Sequence, residues 1–370
     1  MSAVSSFLPS STAGWIVYGL ITVFWIYFMF YGQKLQARIW QGQIEGFLRE
    51  VKSMTDSATG KLISTIVSEG KPPMDPSQRV RDFLDFFAIE PVDKDPAGVL
   101  TRLEYILDVR DNRFDQEMAR LAPGASSEVQ ANLGVAMEAA MALNFIYKVV
   151  QHYLILGKKQ GNWMILMQVA MSLGQIRELA ESYGKAFDAF VAGKPIGDAA
   201  GPMVIRELAG QAEFKDIEGT KTAYAVAEFE GRKLFLLKAK GPGGRVGKPG
   251  LGLLKLIEDE AKDVKLVVTV DAALKLEGEK TGQVAEGVGA AIGDPGPEKF
   301  KIEEAARTHH IPLLAIIVKE SMDEAITGMK KEISDAIPAA ADKVRQVIRE
   351  QTKEGDSVLI AGIGNTIGVA

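Results

Sequence analysis

Hydrophobic positions divide the chain into three textures. Over residues 15–31 the sequence reads WIVYGLITVFWIYFMFY, and no charged side chain occurs before Lys34. Crossing a hydrocarbon core of about 30 Å takes about 20 apolar residues, a length that residues 14–33 supply. Trp15, Tyr27 and Tyr31 sit near the ends of the run, where aromatic rings favour the water–lipid boundary. A cleaved signal peptide would show a basic start and a small-residue cleavage site, and neither is seen. Lys34 and Arg38 follow the run directly. The positive-inside rule then gives a single-pass cell-membrane protein: a short extracytosolic tail at 1–13, a transmembrane helix at 14–33 and a cytosolic body. The bilayer is thus an expected partner through residues 14–33. The other reading of the run is a buried core helix.

From residue 34 to 192 the pattern is helical. Ile39, Ile44, Phe47, Leu48 and Val51 recur at helical spacing with charges between them. GKPPMDP at 70–76 and PVDKDP at 91–96 read as breaks. Helices are expected at 80–87, 100–121, 126–156 and 163–190, the last two parted by residues 157–161. The very apolar stretch 163–173 is, at about 11 residues, too short to span a bilayer. It reads as the buried centre of a helical bundle, and this all-helical region is the expected seat of homo-oligomerisation. His152, within one of its helices, reads as structural rather than as a ligand.

After residue 193 glycine becomes frequent and β-branched runs appear. Residues 223–229 and 233–239 flank Glu230-Gly231 and read as a hairpin. VKLVVTV at 264–270, LLAIIV at 313–318 and SVLIA at 357–361 have the look of buried strands. Helical patterns fall between them at 251–261, 302–308, 321–336 and 339–352. The alternation predicts an α/β domain over 193–370, with a mainly parallel sheet covered by helices on both faces. In such sheets ligands collect outside the carboxyl ends of the strands.

Composition narrows the function classes. Of 370 residues, 47% are hydrophobic and 25% charged, the proportions of a folded protein. A net charge of −5 argues against a nucleic-acid partner, which needs a basic surface to neutralise phosphates. With no cysteine, thiolate catalysis, disulfides and cysteine-held zinc are excluded. Three histidines leave little for a metal site, and none is assigned; no cofactor is implied. Scarce asparagine beside abundant Glu and Lys leans towards a thermophilic source.

Candidate chemistry lies at strand ends and helix starts. In KPIGDAAGPMVIREL, Asp198 falls just before a helix opened by Gly201-Pro202, either as an N-cap or as a functional acid. Asp271 ends an apolar strand at the expected ligand edge, where a half-desolvated acid suits general acid–base work; a strand-end cap is the other reading. Lys275, Glu277 and Lys280 follow in a charged loop. Two glycine loops, EGVGAAIGDPG at 286–296 and GIGNT at 362–366, make Gly287, Gly289, Gly362, Gly364, Asn365 and Thr366 candidates for ligand contact together with Lys275. KGPGGRVGKPG at 240–250 is a basic loop before a helix, suited to an anion or to plain connection.

GDAAGP followed by MVIREL resembles the acidic motif of the germination-protease and hydrogenase-maturation-protease superfamily. In those proteins a strand ending in GxGN or GxGS precedes the acid, and a later strand ends in V/I-D-A with a second acid. VTVDAALKLEGEKTGQ is similar to that second motif, residues 287–296 resemble the glycine-rich loop after it, and IPLLAIIVKESMDEAI resembles the next strand and helix. The resemblance implies a catalytic pair, Asp198 and Asp271. Here GIGN stands at 362–365, after both motifs, so the resemblance implies a circularly permuted fold with the last strand returned beside Asp198. Where relatives use a nickel-recognising histidine, this chain offers only His309 or His310, ahead of the strand. The whole chain also resembles an uncharacterised archaeal single-span membrane-protein family with a terminal GxGNT, a likeness that implies no activity. Two functions follow: a membrane-anchored scaffold or binding protein that takes a small ligand or peptide at the glycine-rich strand ends, or a peptidase-like hydrolase in which the two aspartates share a proton.

Overall fold

The computed structural model describes residues 11–89, 98–293 and 296–370, with 29 and 30 by backbone alone. The turn expected at 91–96, most of the tail at 1–13 and the tip of the 286–296 loop lie outside the described residues. Five helices come first: α1 (Thr12–Thr65), α2 (Ser77–Phe83), α3 (Val99–Leu121), α4 (Ser127–Gln160) and α5 (Trp163–Val191). The chain forms two compact units, residues 1–54 with 144–180, and residues 55–143 with 181–370.

In the first unit, Ile44, Phe47 and Val51 of α1 are buried, as are Val150, Leu154, Leu166 and Leu173 of α4 and α5. Met164 and Met171 are exposed, so 163–173 packs by one face only and is not the buried centre of a bundle. Trp40 stacks on Trp163, and Glu45–Lys158 and Glu50–Arg177 ion pairs (2.5 and 2.8 Å) border the core. The start of α1 is different: Trp15, Ile16, Leu20, Val23, Phe24 and Trp25 are each more than half exposed. Among the described residues, α4 alone is a single helix long and apolar enough to cross a membrane, and 39% of its apolar window is buried. The arm Thr12–Phe28 meets the same test only together with Tyr31–Gly70, from which it is bent by 49°.

The second unit is built on one sheet. Its strands are β1 (Lys215–Ile217), β2 (Thr222–Phe229), β3 (Arg232–Ala239), β4 (Val264–Leu274), β5 (Val284–Val288), β6 (Leu313–Glu320) and β7 (Ser357–Gly362), in the order β1-β2-β3-β7-β4-β6-β5. The pairs β3–β7, β7–β4 and β4–β6 are parallel. The flanking pairs β1–β2, β2–β3 and β5–β6 are antiparallel, so the sheet is mixed rather than mainly parallel. The reason is local at the hairpin, where Glu230 (φ 49°) and Gly231 (φ 72°) both take the left-handed conformation that a two-residue turn requires.

The remaining helices are α6 (Ala200–Ala209), α7 (Pro249–Asp259), α8 (Pro297–Thr308), α9 (Met322–Ile326) and α10 (Lys331–Gln351). Val358 and Ile360 of β7 face α6 and α10, while Leu359 and Ala361 face α7 and α8. The last strand of the chain is thus the centre of the sheet, buried on both faces. Two helices expected at 321–336 and 339–352 are divided differently. Pro338 lies inside α10, because Ile333, Ile337, Ala340, Val344 and Ile348 form one buried stripe across it. At about 1.5–3 kcal/mol per large side chain, that burial outweighs a cost of about 3 kcal/mol for an interior proline. The break falls instead at 327–330, where the backbone pairs with 195–197: Gly197 N–H donates to Thr327 O and Met329 N–H to Pro195 O (3.3 and 2.8 Å).

Candidate functional site

The carboxyl ends of β7 and β4 are crossed by the start of α6 at backbone contact. A Cβ on Gly201 would lie 2.2 Å from Ile363 O and 2.4 Å from Val270 O, and one on Gly362 would lie 2.4 Å from Gly201 O. Two glycines, 161 positions apart in a folded chain, are therefore required for the same contact. Ile363 N–H continues the sheet by donating to Val270 O (2.8 Å). Gly364 then turns with φ 126° against the Asp198 carbonyl, and Asn365 N–H donates to Asp198 Oδ2 at 2.7 Å. Asn365 Oδ1 is spent on Ile367 N–H (2.9 Å), which fixes the turn.

Asp198 stands in a single turn of 3₁₀ helix, Gly197–Ala199, and is partly open. That Asn365 N–H is the one hydrogen bond to its carboxylate among the described residues. Burial lifts its carboxyl to about 6 against the pull of the Asn365 N–H. Asp271, at 4% exposure, lies near the end of β4 and accepts from Ala272 N–H (2.8 Å). Burial pushes this acid well above the usual carboxylate range, and the Asp198 charge pushes it further.

Glu320 completes the group, and it was not singled out in the sequence. It is the last residue of β6, 1% exposed, and neither of its carboxyl oxygens has a hydrogen-bond partner. A Cβ on Gly197 would fall 2.2 Å from Glu320 Oε2, which puts this acid against the turn carrying Asp198. Burial first, then the Asp198 charge, pushes Glu320 up to about 8. The signal was available: LLAIIVKE ends on an acid as VKLVVTVD does, and an apolar strand ending in a charge aims it at the ligand edge. Among the described residues no set of three or more Asp, Glu or His is arranged to hold a metal ion.

The other candidates divide. Gly362, Gly364 and Asn365 join Asp198 as described. The Thr366 hydroxyl is fully buried, 3.0–3.2 Å from the carbonyls of Lys240, Gly243 and Arg245, where it ties down the basic loop. Lys275 reaches Thr281 Oγ1 (2.7 Å) and Glu324 (3.8 Å). Gly287 is part of edge strand β5, and Gly289 is level with Leu313 at the amino end of β6. The loop then returns, for the Gly293 backbone pulls the Asp271 carboxyl downward. His309 and His310 follow α8, also at the amino end of β6.

Asp198 and Asn365 open into a cavity of about 970 Å³ within the second unit. Its walls are mostly apolar: Val99, Leu103, Ile106 and Phe114 of α3, Val135, Ala139 and Ala142 of α4, Tyr183 and Phe190 of α5, and Phe86 and Phe87 after α2. Ile196, Ala325 and Ile326 lie beside the acid. Arg110 and Glu138 form an ion pair that lines this cavity and a second, more polar one of about 460 Å³ bordered by Lys221, Arg245 and Lys248. The helices from 55–143 and 181–191 are therefore walls of the site, a role their amphipathic pattern did not disclose.

A family model described as "Protein of unknown function (DUF1512) N-terminal domain" matches residues 18–193, and "Domain of unknown function (DUF1512) C-terminal" matches 196–370. No curated protein matches the chain.

Proposed function

Since the chain belongs to the DUF1512 family, whose descriptions carry no activity, we propose from its site that it is a membrane-anchored cytosolic binding protein that takes a small apolar or peptidic ligand at the carboxyl ends of β7 and β4. One observation carries the reading. A carboxylate held by a single backbone N–H lines a largely apolar cavity of about 970 Å³. Sites for small ligands have this make-up, apolar walls with a few convergent polar groups.

The anchor is residues 14–33, supported by the exposed apolar side chains of Thr12–Phe28 and the absence of charge before Lys34. The helical region serves self-association in this reading. Release of the full chain from membranes by alkaline carbonate would remove the anchor from it, and a detergent-extracted particle of one chain would remove the oligomer.

The cavity is tested by calorimetric titration of the full chain in lipid nanodiscs with leucine dipeptides. Ala142→Trp fills the space from its wall, and is expected to abolish the binding seen with the unaltered chain. Equal binding by both proteins, or none by either, would overturn the reading.

A second function, peptide hydrolysis, is favoured by the electrostatic coupling of Asp198 to Asp271, since acids that cannot both ionise freely can divide the roles of base and acid. Mass spectra of the titrated peptides decide it. Cleavage products that vanish in Asp271→Asn support a hydrolase, and intact peptides exclude one for these substrates.

A further inference from the structure

The charge around Asp198 is unbalanced. The side chains that bear on it electrostatically are acids: Asp271 from β4 and Glu320 from β6, with Asp323 and Glu324 of α9 acting on Glu320 in turn. No ion pair to Asp198 occurs among the described residues. The cations nearby are engaged elsewhere. Lys330 and Lys275 both address Glu324, at 2.8 and 3.8 Å. Arg110 of α3, the one cationic side chain lining the cavity among the described residues, donates to Glu138 of α4. A desolvated carboxylate without a counter-charge is costly, and a cation arriving with a ligand relieves that cost. The walls, with Val99, Leu103, Ile106 and Phe190 among them, require the rest of such a ligand to be apolar.

We propose that the cavity recognises an ammonium group carried on an apolar body, the free N-terminus of an apolar peptide or an alkylamine, with its charge set against Asp198. This rests on the cavity being a ligand site and adds the chemical class of the ligand. An anionic head group would meet the Asp198 carboxylate at the cavity wall. A neutral one would leave Asp198 unpaired. A divalent metal ion lacks a ligand set among the described residues.

The arrangement gives the binding a definite pH dependence. Below about 6 Asp198 takes up a proton and the attraction is lost. Between 6 and 8 Asp198 is charged while Glu320 is still neutral, and above about 8 Glu320 is charged as well. Arg110 and Glu138 contribute opposite charges as a pair.

The test compares isosteres on the full chain in nanodiscs at pH 7.5: leucyl-leucine amide against its N-acetyl form, and hexylamine against hexanol. The free amines are expected to bind about tenfold more tightly than their neutral partners, an advantage that disappears at pH 5 and in Asp198→Asn. Preference in the peptide pair alone identifies a peptide N-terminus, and preference in the alkyl pair alone a small amine. Equal binding of charged and neutral partners overturns the inference and leaves the cavity reading standing, whereas binding of neither overturns both. If Asp198→Asn does not fold, the isostere comparison and its pH dependence on the unaltered chain decide alone.

Discussion

Glu320 and Glu324 are four residues apart and almost equally buried, at 1% and 4% exposure, yet they are opposite in character. Glu324 closes the capping box of α9, accepting from Ser321 N–H (2.8 Å), from the Thr281 hydroxyl and from Lys330 (2.8 Å). Burial pushes its carboxyl up, but these donors together overcome that and hold it at about 2. Glu320 has no donor, and burial beside Asp198 carries it to about 8. Depth alone therefore does not set the state of a buried carboxyl; the donors and charges arranged around it do. Glu324 belongs to the scaffold, whereas Glu320 shapes the electrostatics of the Asp198 site.

The two acids should act on stability in opposite directions with pH. Glu320 is raised from an ordinary 4.5 to about 8, so the folded chain holds a proton that the unfolded chain releases. Its contribution is complete below 4.5 and is lost as pH rises towards 8. Glu320→Gln keeps the shape of the neutral acid and removes that loss. It is expected to stabilise the protein by on the order of 3 kcal/mol at pH 8 and by little at pH 4. Urea unfolding at both pH values measures this, and an unchanged pH slope would break the comparison.

Glu324 is lowered from 4.5 to about 2, so its contribution is present above 4.5 and is lost as pH falls towards 2. Glu324→Gln should cost about 2 kcal/mol at pH 7, because the Lys330 ion pair and the capping contacts weaken together. The same unfolding series at pH 7 and pH 3 should show the deficit shrinking with acid. The smallest effect is expected for Lys275→Met. Its nitrogen is 3.8 Å from Glu324 and the Thr281 hydroxyl replaces part of its role, so a loss of about 0.5 kcal/mol is expected, with dipeptide titration unchanged. A lost titration would move Lys275 from the scaffold to the site.

Parts of this arrangement were legible in the amino-acid order. The Glu230-Gly231 hairpin followed from turn chemistry, the buried strands from short apolar runs, and helices α3 to α5 from 3.6-residue periodicity. Asp271 was visible because it follows the apolar run 264–270, although β4 continues past it to Leu274, and Asp198 because Gly201-Pro202 opens a helix behind it. β1 and β5 were not visible: one is three residues long, and the other is a glycine-bearing edge whose pairing depends on β6. The Pro338 expectation failed because a local penalty was smaller than the burial of the face around it. Lys275 looked available in a charged loop, but folding brings Glu324 and Thr281 to it.

The sequence by itself determined the division into an apolar start, a helical stretch and an α/β part, because periodicity and turn preferences act over a few residues. Only the tertiary structure decided that the last strand occupies the centre of the sheet and that Asn365 meets Asp198. It also decided that Glu320 lies without a donor and that helices from the first half wall the cavity. Those outcomes depend on strand order, and on desolvation, which no residue carries alone and which arises only when distant segments exclude water together.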